Sequence, residues 1–317
     1  MNIWKILNIA LFILILSSFS ANAAQISEYE ASKITSSYTY DGELCEAYGP
    51  YEYNNNMYYV CTISEGDNVK AEIVIDANSG DLVTSEPVAK YLIKHDLALY
   101  YLFDEESYSL NMQNADVYRQ DVVSLEEDYN FWIDLRDIAN TQEQKQNAKE
   151  AADISLDMKT ICENKVEVIE EIIDIQTRIK SGGTLKDAEK IIEAEEKAYY
   201  IEKQALPKIN NAIERTPIIY STILNNNYKY GISDSEWNIY KSDDVSFLEY
   251  EKDVTQSNIA YWESMENMLE SDTQWHYEAM LDRIGATESS NTTPSFTLGL
   301  SMLALLIVGM FFRTKQG

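Results

Sequence analysis

The chain has 317 residues, of which 53 are acidic and 25 are basic, and its formal net charge is −28. Nucleic acids and anionic membrane surfaces are bound by clustered Lys and Arg, so this composition argues against either as a partner. An acidic surface is typical of a solvated exterior that keeps a protein soluble. The length is sufficient for one large or two modest domains with their own cores.

The first 23 residues form an apolar leader. Lys5 precedes an uncharged core from Ile6 to Leu16, and small residues then lead to Ala23. This three-part layout predicts a secretory signal peptide over residues 1–23, cleaved after Ala23. A retained membrane helix is the alternative, but the apolar core is short for a span that needs roughly 20 residues. We therefore expect the chain that follows to be exported.

Residues 24–85 have the pattern of a small α+β module. A short helix is predicted over residues 26–38, and strands are predicted over residues 43–53, 57–63 and 69–77. A tight turn follows at Asn78–Asp81, because Gly80 tolerates positive φ. One helix packed on a small antiparallel sheet is the natural arrangement of these elements.

The last strand of this module ends in Ile75-Asp76-Ala77-Asn78-Ser79-Gly80-Asp81-Leu82-Val83. Together with a helix in which Ala31 and Ile34 occupy the sheet-facing positions, residues 26–84 resemble the PepSY domain. The resemblance implies a non-catalytic module, associated in that family with peptidase inhibition or with regulation at the cell envelope. We expect Asp76 to stabilise its turn by accepting hydrogen bonds from nearby backbone N–H groups.

Three cysteines are present. Cys45 and Cys61 fall in the same predicted strand region, and a disulfide between them would persist outside the cell. Two buried thiols are the alternative. Cys162 lies at an apolar position of a helical repeat and is predicted to be a small core residue.

Before residue 86 apolar residues tend to recur at every second position, whereas from residue 86 to residue 285 they recur every three or four positions. This spacing predicts a long, mainly antiparallel helical bundle. Helices are predicted over residues 88–103 and 111–140. The clearest signal is a coiled-coil seam of nine positions, interrupted only by its one lysine: Ala151, Ile154, Met158, Ile161, Lys165, Val168, Ile172, Ile175 and Ile179.

This seam stops at Ser181-Gly182-Gly183, and the next helix carries a complementary stripe of small residues. An internal helical hairpin is therefore favoured, although the same seam also allows a homo-oligomer through the helices. A last helix of roughly fifty residues has a row of large apolar residues at strict sevens: Tyr240, Phe247, Val254, Tyr261, Met268 and Trp275. The second row of the same seam is polar, which predicts that water partly enters this helix interface. Its residues are Asp244, Glu251, Asn258 and Asp272.

The C-terminal residues predict a membrane anchor. Residues 286–295 form a polar stalk that contains Asn291 in a glycosylation sequon. Residues 296–312 are apolar or small and are just long enough to cross a bilayer as a transmembrane helix. A buried core helix is the alternative, but this segment has no polar face. Because residues 313–317 are basic, they are expected in the cytoplasm and the bulk of the chain outside the cell membrane.

The residues Pro294, Ser295 and Phe296 directly precede this predicted span. The tail resembles the archaeal surface-protein sorting signals known as PGF-CTERM and PEF-CTERM, in which a tripeptide, an apolar span and a basic end follow one another. The resemblance implies that a membrane transpeptidase exchanges the tail for a lipid. Ser295 departs from the usual Gly or Glu. Membrane attachment is expected with or without this processing.

Motifs of catalysis and metal binding are missing from the sequence. His95 and His276 lie far apart, and neither belongs to an HExxH or Glu-x-x-His pattern. No Gly-x-Ser-x-Gly, Walker or GxGxxG motif occurs. We therefore predict a protein that is not an enzyme, with no catalytic residues, no metal site and no cofactor.

Two functional hypotheses remain. The first is a cell-surface-anchored interaction or regulatory protein, whose PepSY-like module contacts an envelope partner such as a peptidase and whose helices act as a spacer. The alternative is an extracellular helical sensor or ligand-binding protein, for which we expect no cytoplasmic output domain after residue 317. A solvent-lined cavity between the last helix and its neighbours would favour the sensor, whereas a dry core would favour the spacer.

Overall fold

The computed structural model describes residues 25–66, 68–226 and 229–285. The described chain is mostly helical, with one small sheet near its beginning. Its elements in chain order are α1 (Glu28–Thr35), a short 3-10 turn (Ser36–Tyr38), β1 (Leu44–Tyr53), β2 (Asn56–Glu65), β3 (Asn68–Asp76), α2 (Glu86–Tyr101), α3 (Glu105–Ile138), α4 (Gln142–Lys180), α5 (Leu185–Leu224) and α6 (Asp234–Arg283).

The predicted leader, stalk, membrane span and cytoplasmic tail lie outside these described residues. The same holds for the residues predicted there to be processed or modified: Ala23, Asn291, Pro294, Ser295 and Phe296. Within the described ranges, no helix combines the length and the apolar character needed to cross a membrane.

The described residues divide into two compact units. The first unit comprises residues 25–97, 184–186 and 269–285, and the second comprises residues 98–183 and 187–268. The boundary predicted between residues 85 and 86 therefore falls within the first unit, because most of α2 belongs there. The final part of α6 also belongs to the first unit.

In the first unit, a three-stranded antiparallel sheet has the order β1-β2-β3. This arrangement confirms the predicted helix on an antiparallel sheet. Helix α1 begins with a capping box in which Ser27 and Glu30 bond each other's backbone N–H groups, which satisfies donors that a helix start leaves free. Ala31 is fully buried on this helix, and Ile63 and Ile73 are fully buried in the sheet.

The turn after β3 forms as its motif predicts. Asp76 Oδ1 accepts hydrogen bonds from the backbone N–H groups of Asn78 at 2.8 Å and Ser79 at 3.0 Å. Gly80 has a φ of +76°, a conformation that few residues with a Cβ adopt. The turn directs the chain back along β3, where Val83 N–H bonds to the carbonyl of Val74 at 2.9 Å.

The second unit is an antiparallel bundle of helices. Ion-pair partners move backwards along α4 as they advance along α5, which shows that the two helices are antiparallel: Lys197 with Glu167 at 3.1 Å, Lys208 with Asp157 at 2.8 Å, and Arg215 with Glu150. Contacts of the same kind join α3 to α4 and α5 to α6. Arg119 of α3 forms an ion pair with Glu170 of α4, and Asn258 of α6 donates a hydrogen bond to Glu202 of α5. The predicted internal hairpin is confirmed.

The predicted seam of α4 lies in the core. Eight of its nine positions are buried, including Lys165, and Ile154 is half-buried. Cys162 is fully buried beside this seam, as predicted. The apolar pattern of α4 therefore predicted its buried face correctly, and Lys165 is buried because it lies on that face.

The predicted apolar row of α6 is not the buried face, and this prediction was wrong. Tyr240 is 41% exposed, and the other five residues of that row are half-buried. The buried row also has a spacing of seven but lies one residue further along: Leu248, Thr255, Trp262, Leu269 and His276. A shift of one residue rotates the buried face of the helix by about 100°. The buried row therefore combines Trp262 and two leucines with the polar Thr255 and His276.

Candidate functional site

The most unusual site of the second unit is a buried lysine. Lys165 lies on α4 with 2% of its side chain exposed. An ammonium group removed from water is costly unless charged and polar groups surround it. In this structure the other three long helices, α3, α5 and α6, supply such groups.

Four oxygen atoms surround the Lys165 ammonium. Nζ lies 3.0 Å from Glu202 Oε2 on α5 and 3.3 Å from Glu251 Oε2 on α6. It donates to the Tyr118 hydroxyl of α3 at 3.3 Å and to Thr255 Oγ1 of α6 at 3.2 Å. We call these five residues the lysine network. Because they come from four helices, the network ties α3, α4, α5 and α6 to one another at a single level.

The two carboxylates of the lysine network have different environments. Glu202 accepts a hydrogen bond from Asn258 Nδ2 at 2.7 Å through Oε1, whereas its Oε2 forms an ion pair with Lys165 without an aligned hydrogen bond. Glu251 is fully buried, and its Oε1 has no hydrogen-bond partner among the described residues. One cation thus faces two carboxylates, and Glu251 is the less satisfied of the two.

Electrostatics follow from this geometry. Burial alone would lower the pKa of Lys165, but Tyr118, Glu202 and Glu251 together raise it above its ordinary value, so the lysine stays charged. Burial raises the pKa of Glu251, and the nearby Lys165 opposes that rise. The lysine network is therefore built around a permanent cation, and Glu251 is the carboxylate best placed to take up a proton.

This arrangement suits structure better than catalysis. A general acid, base or nucleophile must reach its substrate at hydrogen-bond distance. Lys165, Glu202 and Glu251 are all less than a tenth exposed, so solvent and solutes have no direct approach to them. Buried polar residues of this kind are best documented as devices that fix the register of packed helices.

The first unit contains a second buried polar group, made of acids. Glu72 on β3 has 2% of its surface exposed, and its Oε2 has no hydrogen-bond partner among the described residues. Burial, followed by the charges of Asp96 and Asp272, raises its pKa well above the ordinary value. Tyr51 donates a hydrogen bond to Asp96 Oδ1 at 2.8 Å. Burial nevertheless raises the pKa of Asp96 to about 6.

The two cysteines predicted as a pair do lie together. Cys61 pairs with Ala47 and Cys45 with Ile63 across the antiparallel strands, so the cysteines are diagonal neighbours on the same face of the sheet. Both are free thiols in the structure, and each thiol shifts the pKa of the other. The sequence placed them in one strand region, and the structure brings their thiol groups together. The disulfide itself stays a prediction.

The histidines lie in different settings of the first unit. His95 Nδ1 is 2.6 Å from the carbonyl oxygen of Tyr91, and its ring packs against the Tyr91 ring. His276 is 2% exposed, and its Nδ1 has no hydrogen-bond partner among the described residues. Burial lowers the pKa of His276 to about 4. His276 is therefore buried with one of its ring nitrogens unsatisfied.

The surface depressions of the second unit are open and charged. One of about 510 Å³ lies on α4 and α5 and is lined by Asn164, Glu167, Glu193, Glu196, Lys197, Tyr200, Ile201 and Gln204. Another of about 340 Å³ is lined by Arg136, Asp137, Gln142, Lys145, Gln146 and Lys149. Within residues 25–66, 68–226 and 229–285, no cluster of three or more His, Cys, Asp or Glu is arranged to hold a metal ion.

Sequence inspection found part of the lysine network and missed the rest. Lys165 stood out as the only polar residue of its seam, and Glu251 stood out in the polar companion row of α6. Nothing in the sequence marked Glu202, Tyr118 or Glu72, because acidic residues and tyrosines are abundant everywhere in this chain.

The chain was compared with known protein families, characterised proteins and solved structures. No protein-family model, no characterised protein and no experimentally determined structure matches this chain significantly.

Proposed function

We propose that this chain is a non-catalytic interaction or regulatory protein anchored at the cell surface. Its α+β module, residues 24–85, is the part that contacts an envelope partner, of which a peptidase is the first candidate. Its helical bundle is a rigid spacer. The predicted leader and C-terminal anchor supply export and attachment, with the bulk of the chain outside the membrane.

The closed lysine network is the observation that carries this proposal. Lys165 and Glu251, whose pKa values are both raised, are packed between four helices. Groups that perform chemistry are normally found in clefts that admit a substrate. A buried network that joins four helices instead supports a bundle with one fixed register, which is what a spacer requires.

The α+β module has features of a contact surface. Large side chains that remain well exposed are frequent between residues 29 and 48: Tyr29, Tyr40, Leu44 and Tyr48. Leu44 and Tyr48 lie on β1, an edge strand of the sheet. Exposed aromatic residues are enriched in protein interfaces, because they bury a large area with few rotatable bonds.

The sensor hypothesis receives less support from the same region. It calls for a solvent-lined cavity between α6 and its neighbours. At the level of Lys165, side chains of Tyr118, Glu202 and Thr255 fill the space around the ammonium group. We therefore keep the spacer as the proposed role of the bundle.

Site-specific photo-crosslinking on intact cells of the source organism tests the proposal. A photo-reactive phenylalanine derivative replaces Tyr48 in the α+β module, and in a matched variant it replaces Tyr200 in the second unit. The two sites are comparable because Tyr48 is 42% exposed and Tyr200 is 53% exposed. We expect a discrete protein adduct from position 48, identified by mass spectrometry, and only diffuse labelling from position 200.

Adducts that arise from position 200 alone would assign recognition to the bundle and contradict the proposal. Peptide mapping of the same samples reports the ends of the chain. Loss of residues 1–23 and membrane recovery of the protein are expected. Recovery of the full-length protein from the cytosol with Met1 attached would contradict the surface location.

A further inference from the structure

The pair of thiols in the first unit has an asymmetric setting that its sequence does not reveal. Cys61 is fully buried on the central strand β2, whereas Cys45 is half-buried on the edge strand β1. An edge strand has a neighbour on one flank only, so a solute can approach Cys45 from the other flank. Cys61 has no surface in contact with solvent.

Helix α1 covers the same pair with two hydroxyl groups. Ser32 Oγ donates to the carbonyl oxygen of Cys45 at 2.9 Å, which fixes the helix over this residue. The Thr35 side chain is fully buried, and its hydroxyl has no hydrogen-bond partner among the described residues. This hydroxyl is close enough to the two cysteines to lower the pKa of each thiol. A buried hydroxyl without another partner can stabilise negative charge on a nearby sulfur.

The acid–base properties of the two thiols agree with this geometry. The neighbouring Cys61 thiol is the main cause that lowers the pKa of Cys45, and Ser32 and Thr35 lower it further against the effect of burial. The neighbouring Cys45 thiol and burial raise the pKa of Cys61. Because the thiolate is the nucleophile, the exposed member of the pair is also the more reactive one.

We propose that Cys45 and Cys61 form a thiol–disulfide exchange site for small disulfides, in which Cys45 is the attacking thiol and Cys61 the resolving thiol. The inference depends on the geometry of the first unit and is independent of the proposed function. It adds an order of reaction to the predicted disulfide: Cys45 first, then Cys61.

The reaction proceeds in two displacements. The Cys45 thiolate attacks one sulfur of a small disulfide RSSR, which forms a mixed disulfide Cys45–S–S–R and releases one thiolate RS⁻. Cys61 then gives its proton to that thiolate, and its sulfur attacks the sulfur of Cys45. The Cys45–Cys61 bond forms and the second thiolate leaves. The second thiolate takes up from water the proton that Cys45 had released, so the protein loses two electrons and RSSR is reduced to two thiols.

The test uses the reduced full chain treated with glutathione disulfide, followed by acid quenching and peptide mass spectrometry. The wild-type protein is expected to form the Cys45–Cys61 bond. The Cys61→Ser variant is expected to accumulate one glutathione on Cys45. In the Cys45→Ser variant, modification of Cys61 is expected to be at least about tenfold slower than modification of Cys45 in the Cys61→Ser variant.

Cys162 supplies an internal control, because it is fully buried in the second unit and reacts only when the protein unfolds. Circular dichroism checks that each variant folds. If either serine variant is unfolded, alkylation of the wild-type protein by iodoacetamide replaces it. Cys45 must then react first, with a half-maximal rate at a lower pH than that of free cysteine. Modification of Cys61 before Cys45, equal rates at Cys45 and Cys162, or a wild-type reaction that stops at the mixed disulfide would each overturn the proposal.

Discussion

In the second unit the buried acids Glu202 and Glu251 lie beside the ammonium group of Lys165, whereas in the first unit Glu72 lies beside two other acids, Asp96 and Asp272. In the first case a cation compensates the buried negative charge. In the second case burial, together with the negative charges of Asp96 and Asp272, raises the pKa of Glu72 and favours its protonated form. Burial of a carboxylate therefore takes two forms in one chain, and the two differ in their response to mutation and to pH.

The largest expected effect is the loss of the compensating cation. Lys165→Met leaves Glu202 and Glu251 buried without a counter-charge, and we expect it to lower the free energy of unfolding by about 3–5 kcal/mol. Lys197→Met is the matched control, because Lys197 forms exposed ion pairs with Glu167 and Glu171 on the same helix pair. Such exposed pairs contribute about 0–1 kcal/mol. Urea denaturation followed by tryptophan fluorescence measures both.

A compensated variant sharpens this result. Combining Lys165→Met with Glu202→Gln and Glu251→Leu removes the charges together and is expected to recover most of the lost stability. If Lys165→Met and Lys197→Met were equally stable, the lysine network would contribute nothing to the free energy of unfolding. The contrast between compensated and uncompensated buried acids would then be wrong.

The second effect concerns the uncompensated acid. Because the pKa of Glu72 is raised above 4.5 in the folded state, its contribution to stability is complete at low pH and is lost as pH rises above 4.5. Glu72→Gln copies the protonated form. The variant should gain stability over the wild type by up to about 1.4 kcal/mol per pH unit above that point. Thermal unfolding between pH 4 and pH 8 measures the difference.

Glu52→Gln is the control for this series, since Glu52 is exposed on β1 of the same sheet. The stability profile of Glu72→Gln is compared with the profile of this control over the same pH range. A pH-independent difference between Glu72→Gln and the wild type would mean that Glu72 is charged when folded.

The third effect has the opposite sign. Burial lowers the pKa of His276 from 6.5 to about 4, so its contribution to stability is present above pH 6.5 and is lost as pH falls towards 4. His276→Phe removes the titrating group. The wild type should lose up to about 1.4 kcal/mol per pH unit relative to this variant over that interval. A parallel pH profile for the two proteins would show that His276 is protonated or solvated in the folded state.

The smallest expected effect is common to both units. Ser27 caps α1 in the first unit and Thr141 caps α4 in the second, each by accepting a hydrogen bond from the backbone N–H three residues later. Replacing either by Ala should cost about 1 kcal/mol. Neither hydroxyl titrates, so the cost should not change between pH 5 and pH 8. A pH-dependent cost would implicate the neighbouring acids instead.

Local patterns predicted most of the fold. The turn around Asp76, the break at Gly182 and the α4 seam appear where the sequence indicated them, because each depends on residues a few positions apart. The buried face of α6 was missed by one residue. Its aromatic row was the more apolar choice by local pattern, but the packed bundle requires Thr255 and Glu251 to face Lys165.

The sequence by itself determined which segments are helix, which are strand, and that a lysine interrupts an otherwise apolar seam. It also placed Cys45 and Cys61 in neighbouring strands. Only the tertiary structure decided that Tyr118, Glu202 and Glu251 surround Lys165, and that Glu72 shares its surroundings with Asp96. The physical reason is that the stability of a buried charge depends on groups from distant parts of the chain, which periodicity along one element does not record.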